Sequence, residues 1–171
     1  MLKLIGAILL IAGTASCGIV GAMKLKRRSD SLSSILSALS MMKSEICDRL
    51  TPLPELVEML REDGQYPASA LFTNVYSNMA QLGSTQFSTI WSRAVNKTPE
   101  LMLNDRERTV LSELGKSLGK YNIEEQRSAI LYAADRFSDY LKKAEASCAE
   151  SSKMRAALGV AAGIFAVAIL I

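Results

Sequence analysis

Two charge-free apolar stretches, one at each end, constrain this 171-residue chain more than anything between them. The first, Leu4 to Met23, reads LIGAILLIAGTASCGIVGAM. As a helix rising about 1.5 Å per residue it reaches about 30 Å, the thickness of a bilayer hydrocarbon core. It stops at Lys24, Lys26, Arg27 and Arg28, with only Lys3 and the amino terminus before it. Cations gathered on one side of a span orient that side toward the cytoplasm. A cleaved signal peptide is the competing reading. Leu4 to Ala12 would be its apolar core and Gly13-Thr14-Ala15 a small-residue cleavage site. A lipoprotein form would use Cys17, but Thr14 stands where a large aliphatic residue is needed. Both forms require the KLKRR segment to be translocated, against the positive-inside tendency.

The second stretch, Ala156 to Ile171, reads AALGVAAGIFAVAILI. Sixteen helical residues reach only about 24 Å, so this span relies on snorkelling of Lys153 and Arg155 and on local thinning of the bilayer. A buried core helix is the alternative, opposed by the lack of any polar face. Both segments place their cationic flank, and hence the residues between them, on the cytoplasmic side. Gly159 and Gly163 form a GxxxG, and Gly18 has small neighbours in the first span. Such spacing permits close packing of membrane helices, and it also arises by chance in Gly/Ala-rich sequence. The chain therefore divides into an N-terminal anchor (1–28), a helical domain (29–152) and a C-terminal anchor (153–171).

The net charge of +3 conceals an asymmetry. Seven cations flank or enter the apolar ends, leaving Asp30 to Ser152 with 13 basic and all 17 acidic residues, a balance of −4. Such a domain lacks the Lys/Arg density that phosphate neutralisation needs, which excludes nucleic acid as a partner. Cys17, Cys47 and Cys148 are widely spaced and odd in number, suggesting neither a disulfide framework nor a zinc site. The chain contains no histidine, so every Ser-His or Cys-His nucleophile arrangement is absent.

Between the ends the periodicity is helical throughout, with nothing alternating as a strand would. Asp30 is read as the cap of a helix carrying Leu32, Ile35, Leu36, Leu39, Met42 and Ile46 and ending near Leu50. Thr51-Pro52-Leu53-Pro54-Glu55 opens the next, with Thr51 as N-cap, the prolines in the first turn and Glu55 facing the dipole; Gly64 stops it. Pro67 begins a third helix, ended by Gly83, and Ser84 or Thr85 opens a fourth through Phe87, Ile90 and Trp91. Asn104-Asp105-Arg106-Glu107 has capping-box form and precedes a helix on Val110, Leu111, Leu114 and Leu118, closed by Gly119. Asn122-Ile123-Glu124-Glu125 repeats that spacing before a long helix on Ile130, Leu131, Ala134, Phe137, Leu141 and Ala144. About six amphipathic helices bury one another's faces, giving an all-α, antiparallel, bundle-like domain.

A search for chemistry returns no phosphate-cradling loop, dinucleotide fingerprint or HExxH. The pairs Glu62-Asp63 and Glu124-Glu125 read as solvated or dipole-complementing charges, so no catalytic residue, metal ligand or cofactor site is assigned. Gly115, inside a periodic helix, costs up to about 1 kcal/mol against alanine; a close helix crossing would justify it, and end fraying is the plainer reading. Gln126 sits one turn past its cap, within reach of a neighbouring loop. Trp91 reads as core.

The layout resembles the stage III sporulation protein AB family of endospore-forming bacteria. The resemblance rests on MLKLIGAILLIAG at the start, the Glu45 region leading into Thr51, Pro52, Pro54 and Glu55, and Trp91. It continues through Leu114-Gly115-Lys116-Ser117-Leu118-Gly119 with Gln126, and Ser152-Lys153-Met154-Arg155 with Leu158-Gly159. Asn122 replaces an aspartate common in that family, which preserves a cap but not a charge. The family is similar to the F-type platform proteins of type II secretion. The resemblance implies a platform in a channel between mother cell and forespore, seated in the mother-cell membrane around the forespore. Its partners would be other channel proteins, including a secretion-type ATPase, with no small-molecule substrate. Two other classes remain open on the residues alone: a small membrane enzyme acting on lipids or peptides, and a secreted, membrane-tethered structural protein.

Overall fold

A computed structural model describes residues 2–120 and 122–170, with side-chain surroundings for 23–120, 122–151 and 154. The described residues form six α-helices and no strand: α1 (Leu2–Lys43), α2 (Leu53–Glu62), α3 (Ala68–Tyr76), α4 (Phe87–Lys97), α5 (Asp105–Leu114) and α6 (Ile123–Leu170). Short 3-10 turns occupy Met79–Gln81 and Pro99–Leu101. The chain divides into two compact units: Asp30–Leu141, and Met1–Ser29 with Lys142–Ile171. The all-α expectation holds.

α1 runs unbroken through Asp30, which is exposed in its interior and not a cap. Lys24 to Ser29 contain neither glycine nor proline and are mostly good helix formers, so nothing interrupts the helix there. Its expected apolar stripe is nonetheless real: Leu32, Ile35, Leu39, Met42 and Ile46 are buried. The helix gives way to a π-turn, Ser44–Asp48, in which the Arg49 N–H donates to the Ser44 carbonyl at 3.1 Å. Leu50 follows at φ +58°.

In the Asp30–Leu141 unit, α2 packs on α3, α3 on α4 and α4 on α5, as short connections between amphipathic helices favour. Trp91 is the largest fully buried side chain, edge-on to Phe72 at 5.8 Å and donating its indole N–H to the Leu111 carbonyl at 2.6 Å. The Asn104 box forms reciprocally, each bond 2.9 Å long. Three boundaries differ from the periodic reading. α3 ends at Tyr76, ahead of Gly83; α4 starts at Phe87, with Gln86 before it making no side-chain cap; α5 ends at Leu114, not Gly119. On α6 the buried face is Gln126, Ile130, Ala133, Phe137 and Ala144, and Leu131 points outward.

Among the described residues no helix is long and apolar enough to cross a membrane. Except for Met23, the side chains of the segments read as anchors, 4–23 and 156–171, lie outside those described, Gly18, Gly159 and Gly163 included; so do those of Lys153 and Arg155. Lys24, Lys26 and Arg27 are exposed on α1, and Arg28 is partly so.

Candidate partner-binding surface

The site is built on one buried carboxylate. Glu45, in the π-turn that follows α1, continues the helix's core stripe one turn past Met42 and is 5% exposed. Its Oε1 accepts from Arg49 Nη1 at 2.9 Å and its Oε2 from the Thr51 hydroxyl at 2.8 Å. Its own carbonyl accepts the Thr51 N–H at 2.9 Å. A buried carboxylate without such partners would cost several kcal/mol, so these bonds hold the turn in one form. Thr51 is thereby committed to Glu45 and does not cap α2. Pro52 takes the N-cap position, where a missing N–H loses nothing. Arg127, from α6, donates to the Cys47 carbonyl at 3.5 Å and lies 3.6 Å from Asp48. Burial pushes the Cys47 thiol up, partly offset by that guanidinium.

At its end α5 closely approaches α4. A Cβ on Gly115 would lie 2.3 Å from the Trp91 ring. The close crossing, and not fraying, explains the glycine. The chain then turns through Gly119 at φ +77°, a conformation costing about 1–2 kcal/mol for an L residue. Gln126 ties this loop to α6. Its Oε1 accepts the Gly119 N–H at 3.2 Å and its Nε2 donates to the Lys120 carbonyl at 2.6 Å. Asn122 accepts the Glu125 N–H at 3.2 Å, while the Glu125 carboxylate pairs with Lys120.

These elements bring most of the family-pattern residues together. Thr51, Gly119 and Gln126 line an open groove of about 370 Å³ with Leu50 and Leu53. Pro54, Gly115 and Gly119 line a second, of about 720 Å³, that shares Leu53 and Lys120 and reaches the loop from Leu82 to Phe87. Pro52 and Glu55 stay outside both, exposed at the start of α2. Leu50, 62% exposed, and Leu82, 39% exposed, give this end an apolar surface that periodicity did not point to. Glu45 was legible as an anomaly: a charge on a stripe otherwise apolar at Leu39, Met42 and Ile46. The carboxylates Glu62 and Glu124 are largely exposed, as read from sequence. Among the described residues no group of His, Cys, Asp or Glu is placed to hold a metal ion.

The described residues thus form an all-helical unit with shallow, open grooves of mixed polarity at one loop cluster. The family model described as stage III sporulation protein AB matches residues 3–171, and the chain belongs to that family. A curated relative, stage III sporulation protein AB of Bacillus subtilis (strain 168), is 28% identical over 171 residues, covering 99% of each chain. A solved structure of a stage III sporulation protein AB aligns with a TM-score of 0.65 at 24% identity, over 72% of this chain and 97% of that one, and corroborates the fold.

Proposed function

We propose that the chain is a non-enzymatic platform component of a sporulation-specific, secretion-like channel between mother cell and forespore. In this reading 4–23 and 156–171 anchor it in the mother-cell membrane around the forespore. Gly18, Gly159 and Gly163 serve close helix packing, and Lys24, Lys26, Arg27, Arg28, Lys153 and Arg155 meet the headgroups on the cytoplasmic side. The Asp30–Leu141 unit then engages other channel proteins, including a secretion-type ATPase. The observation that carries the reading is the convergence of Thr51, Pro54, Gly115, Gly119 and Gln126 on adjoining open grooves. Of these, Pro54 and Gly119 are exposed while Gly115 and Gln126 are buried; beside them stand apolar Leu50 and Leu82 and the ion-paired Lys116 and Lys120, the mixed character of a protein-facing surface.

The test is co-purification of the ATPase with the full-length chain from sporulating cells in mild detergent. Leu50→Asp is expected to reduce recovery of the ATPase at least about tenfold, because it puts an unpaired charge in an apolar contact. Membrane extraction and the yield of the chain should stay unchanged. Undiminished recovery with this variant, or forespore development unaffected by deleting the chain, would remove the proposal.

A further inference from the structure

Away from those grooves, the Asp30–Leu141 unit carries two exposed surfaces of opposite charge. α4 contains no acidic residue, and its exposed Arg93 and Lys97 have no ion-pair partner among the described residues. Arg93 lines a hydroxyl-rich groove of about 590 Å³ between α4 and α5, with Ser88, Ser92 and Ser112. The one carboxylate lining it, Glu113, is already paired with Lys116. On α2, Glu55, Glu58 and Glu62 recur at three- and four-residue spacing on the exposed face, followed by exposed Asp63. Arg61 is the single cation there, engaged with Glu58 and Glu62 and stacked 4.1 Å from the Tyr76 ring. Four carboxylates against one guanidinium leave this face strongly acidic.

We infer that these surfaces are complementary halves of one self-association contact, with the acidic face of α2 in one copy docking on Arg93 and Lys97 of α4 in a second copy. Within a chain no ion pair among the described residues joins α2 to α4, so both surfaces remain available. Glu58 to Glu62 and Arg93 to Lys97 are each one i,i+4 step, about 6 Å along their axes, so two pairs form in register when the helices lie alongside. Exposed ion pairs alone contribute little, and Tyr66, 71% exposed four residues beyond Glu62, supplies an aromatic contact. Each copy would present one donor and one acceptor face, so the contact is heterologous and generates a ring or an open array. Such self-association needs neither the ATPase nor the channel.

Sedimentation of the full-length chain in detergent tests it. Association is expected to rise with protein concentration and to weaken as salt approaches 1 M, where the screening length falls to about 3 Å. E58K/E62K alone and R93E/K97E alone should each weaken association at least about tenfold, through like-charge opposition. The four substitutions combined should restore it with inverted polarity. An equal mixture of the two double variants pairs the native α4 of the first with the native α2 of the second, and the two altered faces with each other, so mixed assemblies should form where neither variant associates alone. A wild-type chain that stays monomeric overturns the inference and leaves the α4 cations to an acidic segment of a different protein. So does association untouched by either double variant, or a mixture that forms no mixed assembly while both proteins keep native circular dichroism.

Discussion

Single side chains here act through space that other residues need. Gly115 has an ordinary helical φ of −59°, so its identity is fixed by the indole of Trp91 and not by the backbone. Gly115→Ala is expected to destabilise the fold by about 1–3 kcal/mol, as overpacking does, read from the denaturant midpoint. Gln126→Ala strands a loop N–H and a loop carbonyl and should cost about 1–3 kcal/mol, accompanied by faster amide exchange at Gly119. The Cys47 thiol is raised from its ordinary value near 9.0 chiefly by burial. Its contribution is therefore present below about pH 9 and lost as pH rises through the folded-state value. Cys47→Ala should lessen the fall in stability on the alkaline side, measured by thermal melts from pH 8 to 10. Sequence alone pointed to Gly115, Gln126 and Trp91, since glycine in a periodic helix and a lone tryptophan stand out. It did not reveal which atoms they meet, because Phe72, Leu111 and Gly115 lie 19 to 24 residues from Trp91, and the partners of Gln126 lie in a loop without periodicity.

At the scale of elements, helix existence was readable and helix ends were less so. Box chemistry at Asn104 is local, and the structure forms it as spaced; Asn104→Ala should cost about 1 kcal/mol. Asp30 and Thr51 have equally good capping chemistry and do not cap. Asp30 is overruled by the helix already running into it, and Thr51 by a buried carboxylate six residues earlier. Local rules rank what a residue can do, and tertiary demand selects among the options. Thr51→Val keeps the shape but removes the hydroxyl that Glu45 accepts from, a bond to a carboxylate of the kind that contributes about 1.5–3 kcal/mol. The variant should melt lower in thermal denaturation, and Thr51→Ser should recover most of the loss. Leu131 failed for a different reason: its spacing fits the α6 stripe, but Ile130 and Phe137 set the angle of the buried face one residue away.

For the molecule as a whole, composition limited the function classes and left the partner surface unspecified. Absence of histidine and the acidic balance of the middle region were visible in the sequence; the exposed leucines at the loop cluster required the fold. The proposed orientation has a direct check. Cys148 is partly accessible while Cys47 is buried, so a membrane-impermeant thiol reagent reports chiefly through Cys148. In a Cys17→Ala background labelling is expected only after permeabilisation, and labelling of intact cells would reverse the orientation. The meeting of Gly115 with Trp91 also bears on descent. The room a side chain at 115 would need is room the indole fills, so position 115 is not free to drift by itself. A lineage replacing this glycine would first have to shrink the indole and accept the lost bond to Leu111. The order of substitution is thus prescribed, and reversion becomes difficult once the second step is taken.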